Sequence, residues 1–434
     1  AASFRVLREL LDSTQCQFCG VGDRDQVIYG AHGADAVFMG DAITVHTGRP
    51  VARLPLTPSH RFGRKLATKA GRLADKPYGS LAAHDTAVQL LGYDDEAECV
   101  DLIAHQVQHW RTATRGKMAG LAVLLRHPGQ SIAIENRLLA DGVPYTVSGF
   151  ESYLLRPEVL LVRGLLAVAT DNFDSVTEPR TREKLMRALV FFCGARIVVK
   201  GREHESQHDL LADAIRSVTD NPLFLESFFT NQIVPNVEPA MQRRLRNALI
   251  DALAPHGELP ISRLLEAMQR RLQRALKVAK EAHGQGTLAR LLEALQIDAV
   301  VREVFVSRQR RADALANLAG LSHAAQAFGS ARDYFLHLNA AEQRQRELRS
   351  TASLVLAHIG HVKGLEFEHV LIPYLEQGAF PDPQAPIAQE KNTLYVGMTR
   401  ARQQLTLLAH RQRPSAFVAQ LGYAESTQAA KAPA

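Results

Sequence analysis

Cysteine is scarce in this chain of 434 residues: Cys16, Cys19, Cys99 and Cys193 are its only four. They are too few and too scattered to staple a chain of this length, which excludes a disulfide framework and fits a reducing compartment. Cys16-x-x-Cys19 has the spacing of half a zinc site, but no second pair follows, so the sequence predicts buried strand residues there and no metal site. Long apolar runs are missing too. No stretch approaches the roughly 20 residues a membrane helix needs, and no charged-then-apolar leader opens the chain, so the expectation is a cytoplasmic protein with no membrane partner. A phosphate cradle of the form G-x-x-x-x-G-K-[ST] is also absent. Gly116-Lys117 is followed by Met118 and lacks the upstream glycine.

What is present is an ordinary globular composition, 46% hydrophobic and 22% charged, enough for two or three domains with sizeable cores. The net charge of +6 is compatible with a polyanionic partner. Between Ile261 and Lys280, at about 100° per residue, Arg263, Arg270, Arg274 and Lys277 share one helical face. Leu265, Met268, Leu272 and Leu276 share the opposite one. A solvated face over a packed one and a phosphate-tracking surface are both open readings of this segment. No internal repeat is visible.

Near the C-terminal end, residues 358–370 read HIGHVKGLEFEHV and residues 393–402 read TLYVGMTRAR. Val370-Leu371-Ile372 and Leu405-Thr406-Leu407-Leu408 are short apolar runs bounded by polar or turn residues, as in buried strands of a parallel sheet. Arg400 precedes the second run, where a guanidinium could clamp a transferred phosphoryl group better than lysine would. Taken singly, Lys363 and Arg400 read as solvated surface charges. Taken together and in this order, the two segments resemble the last two helicase motifs of UvrD/Rep-type superfamily-1 DNA helicases.

Other segments extend the resemblance. Residues 22–30, GDRDQVIYG, resemble the family's third motif, which implies that Gln26 senses the terminal phosphate of a nucleotide and that Tyr29 belongs to the segment coupled to DNA. The pattern departs at Gly30-Ala31-His32-Gly33-Ala34, where the family has an aromatic in place of Ala31. Stacking of a base on an aromatic is worth about 1–3 kcal/mol, and His32 would replace it only in part. Residues 56–62, LTPSHRF, resemble the family's Leu then Asn-Tyr-Arg-Ser stretch. Arg61 would then contact phosphate and His60 would stand for the adenine-stacking tyrosine, with a smaller planar ring. On the same resemblance Gly364 and Glu366 join His60, Arg61 and Arg400 around the nucleotide. Tyr29, His32, His361 and Lys363 are the implied DNA contacts, with Arg270 and Arg274 added from the basic face.

The implied fold is α/β, with RecA-like parallel-sheet domains, one partial and one complete, and a large mostly helical insertion. Residues 1–80 would be the remnant of the first RecA-like domain (1A). Residues 84–175 and 351–412 would be the two parts of the second (2A), residues 176–350 the insertion (2B), and residues 413–434 a disordered tail. Within 2A, residues 119–126, 131–140 and 143–147 read as strand, helix, strand. Residues 16–21 read as a strand, and Phe4, Leu7, Leu10 and Leu11 as the stripe of a helix. The resemblance implies an ATP-dependent 3′–5′ DNA helicase acting on single-stranded and duplex DNA in repair, replication or recombination, with proteins of those processes as possible partners. The cofactors would be ATP and Mg2+, the magnesium ligands lying upstream of Gly22 in the family's order, so that this chain would be a fragment inactive alone. The alternative is a non-catalytic DNA- or protein-binding relic of a helicase.

Overall fold

Leu121-Ala122-Val123-Leu124-Leu125 has every side chain buried, the mark of a strand covered on both faces inside a parallel sheet. The computed structural model describes residues 2–14, 16–30, 33–56, 58–170, 172, 175–194, 196–198, 204–206, 209–210, 212, 261–263, 266–281, 286–348 and 353–423. In it that strand is β2 of a six-stranded sheet formed by β1 (Ala87–Tyr93), β2 (Leu121–Leu125), β3 (Tyr145–Ser148), β4 (Leu354–His358), β5 (Phe367–Leu375) and β6 (Ala401–His410). The order is β1-β6-β5-β2-β4-β3 and every pairing is parallel. Leu405 lies opposite Val370 and Leu407 opposite Ile372, so the two apolar runs read from the sequence are adjacent central strands.

The chain divides into two compact units: residues 1–126, 143–150 and 349–434 form one, and residues 127–142 and 151–348 the other. In the first, the core gathers Ile372, Leu394, Val396, Leu405 and Leu407 from the sheet and the helix Ile387–Met398, with Phe62, Leu66 and Leu73 of the segment around helix Arg64–Ala74. Burying one such side chain is worth about 1.5–3 kcal/mol, and truncating one to alanine costs about 2–5 kcal/mol. The strand predicted at residues 16–21 does not form, and Cys16 and Cys19 are exposed rather than buried. A strand needs a neighbour for its backbone donors and acceptors, and no described strand pairs with this segment. The helix predicted from Phe4 runs Ala2–Thr14.

The second unit is built on Pro157–Ala169, apolar nearly all round, with Val159, Leu160, Leu161, Val162, Leu165 and Leu166 buried. Such a helix must be enclosed by others. Residues 127–142 and 151–175, expected within 2A, cluster with the helical unit. Its other described helices include Pro179–Cys193, Glu266–Glu281, Thr287–Leu295, Arg308–Ala325 and Ala331–Glu347. Arg263 is not on the basic helix face: Ile261–Arg263 pairs antiparallel with Arg196–Val198, and the helix begins at Glu266. Met268, Leu272 and Leu276 are buried as the periodicity required. Leu265 lies outside the described residues.

The expected tail starts too early. Ser415 caps a helix at Ala416–Gln420, and Phe417, Val418 and Leu421 are buried in the sheet unit's core. The apolar side chains that precede Ala424 are what anchor it.

Candidate functional site

Four segments distant in sequence converge at the N-terminal ends of β5 and β6. The first is the turn Arg24–Gln26, whose N-cap Asp23 accepts a hydrogen bond from the Asp25 amide at 3.1 Å. Helix Ile387–Met398 holds this loop: Asn392 donates to the Val27 carbonyl at 3.1 Å and Gln389 to the Ile28 carbonyl at 3.4 Å. The second carries Ser59, His60 and Arg61 ahead of helix Arg64–Ala74. The third is the turn through Gly364 to Glu366, and the fourth is the junction Thr399-Arg400 between helix Ile387–Met398 and β6. Gly364 has φ +92°, a left-handed conformation that side-chain-bearing residues resist.

Gln26, Ser59, His60, Arg61, Phe62, Tyr78, Glu366, Thr399 and Arg402 line a cavity of about 460 Å³. That is the size of a small-molecule site. Arg61 donates through Nε to Glu366 Oε2 at 2.8 Å and through Nη1 to the Thr399 carbonyl at 3.1 Å. Arg402 lies 3.7 Å from Glu366 and 3.4 Å from Glu368. Glu366 thus stands between two guanidiniums on the cavity wall.

Arg400 is only 2% exposed and is not itself on that wall. Its Nε donates to the Val396 carbonyl at 3.0 Å, Nη1 to the Leu365 carbonyl at 3.2 Å, and Nη2 to Thr399 Oγ1 at 3.1 Å and Gln26 Oε1 at 3.4 Å. All four acceptors are neutral. Burial, followed by the positive charge of Arg61, lowers its pKa to about 10. The site therefore concentrates positive charge that its own carboxylates offset only in part, an arrangement suited to an anionic ligand.

Gln26 is oriented from behind. Its Nε2 donates to Asp23 Oδ2 at 2.9 Å, and Tyr395 donates its hydroxyl to the same oxygen at 3.3 Å. Lys76 pairs with Asp25 and lies 3.4 Å from Asp23 Oδ1, its ammonium 4.9 Å from the Tyr395 ring centroid and 5.2 Å from that of Tyr78. Burial opposes the Asp23 charge, yet the Gln26 and Asp25 hydrogen bonds and Lys76 hold its pKa below the usual carboxylate range. Burial likewise opposes the Lys76 charge, and the two aspartates outweigh it.

Of the residues picked from sequence, Gln26, His60, Arg61, Gly364, Glu366 and Arg400 come together here. Lys363 donates to the Gln26 carbonyl at 3.0 Å, and the Tyr29 hydroxyl donates to the Gly360 carbonyl. His361 is exposed and packs over Gly149, where an added Cβ would sit 2.5 Å from its ring. Arg270 and Arg274 belong to the helical unit, exposed beside a second cavity of about 420 Å³ that Arg271, Gln273 and Gln296 also line. His32 lies outside the described residues. Lys76, Tyr78, Tyr395 and Arg402 were missed. Tyr395 and Arg402 sit inside the segment that drew attention to Arg400, whereas Lys76 and Tyr78 carry no pattern of their own. Among the described residues no group of three or more His, Cys, Asp and Glu could hold a metal ion.

Residues 82–412 match the family described as the UvrD-like helicase C-terminal domain. DNA helicase II of Escherichia coli (strain K12) is 25% identical over 401 residues, covering 89% of this chain and 51% of that protein. ATP-dependent DNA helicase PcrA of Bacillus subtilis (strain 168) is 23% identical over 430 residues, covering 94% of this chain and 52% of that protein. PcrA of Staphylococcus aureus (strain COL) is 27% identical over 186 residues, 40% of this chain. The chain spans about half the length of the first two relatives.

Proposed function

Because this chain belongs to the UvrD-like helicase C-terminal domain family, we propose that it supplies the nucleotide-sensing half of an ATP-dependent DNA helicase. One observation carries the reading: Gln26 and Arg61, from separate segments, line one polar cavity, and Arg400 lies buried behind its wall, bonded to Gln26 and otherwise to neutral acceptors only. A terminal phosphate entering there would give Arg400 the directly bonded anion it lacks, would compete with Glu366 for Arg61, and would engage the Gln26 amide. Charge-assisted hydrogen bonds of this kind are the strong ones. In the transition state they would stabilise the charge spread over the transferred phosphoryl group. His60 would flank the base and Glu366 would turn from Arg61 toward the sugar.

In this reading the sheet unit holds the second RecA-like domain (2A) with the remnant of the first (1A, residues 1–80), and the helical unit corresponds to the 2B insertion. Closure of two RecA-like domains around ATP, and reopening after hydrolysis, would drive 3′–5′ stepping along single-stranded DNA. Tyr29, His32, His361 and Lys363 would carry the coupling to DNA, and Arg270 and Arg274 would track phosphates. Repair, replication or recombination is the setting proposed. Magnesium accompanies ATP in such enzymes, but the described residues offer it no cluster of ligands, so no step here is assigned to it.

The test is equilibrium binding of a fluorescent ATP analogue to the chain. Binding that Arg61→Ala weakens supports the reading, and no binding at millimolar nucleotide would remove it. Turnover is a separate matter. With no G-x-x-x-x-G-K-[ST] segment in the sequence, the chain given ATP, magnesium and single-stranded DNA should release no phosphate above a heat-killed control.

A further inference from the structure

A glutamine amide has a donor end and an acceptor end of nearly the same shape, so a site that uses one of them must fix which way the amide faces. At Gln26 a carboxylate does this. Asp23 accepts only, and its Oδ2 takes the Gln26 NH2 group at 2.9 Å, which leaves Oε1 to receive Nη2 of Arg400 at 3.4 Å. With the amide reversed, its NH2 group would face the guanidinium, donor against donor, and its oxygen would face the carboxylate.

Asp23 is itself held. Its Oδ1 accepts from the Asp25 amide at 3.1 Å and faces Lys76 Nζ at 3.4 Å, while Oδ2 also receives the Tyr395 hydroxyl at 3.3 Å. Lys76 ties Asp23 and Asp25 together and sits against the Tyr395 and Tyr78 rings, a cation–π setting in which the side chain as a whole is 31% exposed. The cavity wall includes Gln26 and Tyr78 but not Lys76.

We propose that Lys76 is a positioning residue: through Asp23 it fixes the face that Gln26 presents to Arg400, and so sets the site to detect the terminal phosphate of a nucleoside triphosphate. The inference rests on the nucleotide reading above and deepens it. Loss of the ammonium leaves two adjacent carboxylates, Asp23 and Asp25, to repel each other, which loosens the grip on the amide. Arginine at the same place keeps the charge and reaches both.

The experiment follows the side-chain amide of Gln26 by NMR in the whole chain, selectively ¹⁵N-labelled at glutamine, with the signal assigned by its loss in Gln26→Glu. Without nucleotide, Lys76→Met and Asp23→Asn should move that signal toward the position of a freely rotating amide, and Lys76→Arg should leave it in place. Melting curves should show all three variants folded. An unmoved signal in Lys76→Met overturns the positioning role, whatever nucleotide does. Millimolar ATP should then shift the wild-type signal, ADP should shift it at least several-fold less, and Lys76→Met should lose that difference. A wild-type signal indifferent to ATP sinks the nucleotide reading, with the nucleotide-free comparison still deciding for or against Lys76. If Lys76→Met keeps the full difference between ATP and ADP, Lys76 is a structural cation only.

Discussion

Arg163 in the helical unit and Arg400 in the sheet unit are both buried arginines, and they are satisfied in different ways. Arg163 donates to Glu342 Oε2 at 2.7 Å, to Asn339 Oδ1 at 2.9 Å and to the Leu154 carbonyl at 3.1 Å. Thr181 occupies the other oxygen of that carboxylate. The charge is cancelled inside the fold, although the buried Nε of Arg163 has no hydrogen-bond partner among the described residues. Arg400 has geometry without cancellation: four neutral oxygens hold the guanidinium in place, and Arg61 adds a second positive charge nearby. A buried cation is costly unless a counterion is supplied. The fold supplies a bonded carboxylate to Arg163, whereas Arg400 has only the more distant charge of Glu366, and on the proposed reading a ligand supplies the rest.

The strongest test of this difference removes Arg400. In the whole helicase that the proposal implies, Arg400→Ala should lower kcat by about 10³ to 10⁵, the range for an arginine that stabilises phosphoryl transfer, with DNA binding nearly unchanged. Arg61→Ala should behave alike. Steady-state ATPase rates alongside DNA affinity decide the matter. Near-wild-type turnover in Arg400→Ala would make its burial as structural as that of Arg163.

The converse test removes Arg163. Arg163→Ala leaves Glu342 buried without its cation and should cost about 3–5 kcal/mol in denaturant unfolding, with nucleotide binding at the sheet unit unchanged. Arg163→Met with Glu342→Gln together should recover most of the loss, since replacing both partners removes the unpaired charge. A loss below about 1 kcal/mol for Arg163→Ala would show that the pair is not as closed as its contacts indicate.

Burial can also be resolved by giving up charge altogether, as at His369 in β5. It is almost fully enclosed, shares a hydrogen bond of 2.9 Å with Thr406, and is lowered from 6.5 to about 4, first by burial and then by His109. The unfolded chain therefore takes up a proton between pH 6.5 and about 4 that the folded chain refuses. Stability should be intact above pH 6.5 and fall as the pH drops toward 4 by about 3 kcal/mol, at about 1.4 kcal/mol per pH unit. Chemical unfolding at a series of pH values should show this acid limb shrinking in His369→Gln. An equal limb in both proteins would assign it to other groups.

The sheet was legible because its strands announce themselves: a covered parallel strand such as Leu121–Leu125 has little choice but a run of apolar residues. The candidate site was legible where backbone and motif coincide, at Gln26, Arg61 and Glu366 on the cavity wall and at Arg400 behind it. Lys76 was not, because its meaning lies in reaching Asp23 and Asp25 some fifty residues away, a distance over which no periodicity speaks. The missing strand at residues 16–21 fails for a related reason: apolar pattern states a capacity to pair, while pairing depends on a partner strand. Arg263 was misplaced because the helical periodicity that fits residues 266–281 was extended back across a short antiparallel ladder.

The smallest expected effect concerns arginines that are not buried at all. Arg270 and Arg274 lie exposed on helix Glu266–Glu281, and Arg271 beside them is only partly exposed and bonded to Glu303 and Gln296. An exposed guanidinium can exchange water and counterions for phosphate at little cost, which suits it to a mobile polyanion rather than to a single fixed ligand. Each phosphate neutralised on a single strand releases counterions worth about 0.7 in the slope of log affinity against log salt. Replacing Arg270 and Arg274 together by Gln should therefore flatten the slope measured with single-stranded DNA by about 1.4, with stability unchanged to within about 0.5 kcal/mol. An unchanged slope would return the pair to the solvated face that the sequence left open, and would confine the functional charge of this chain to the sheet unit.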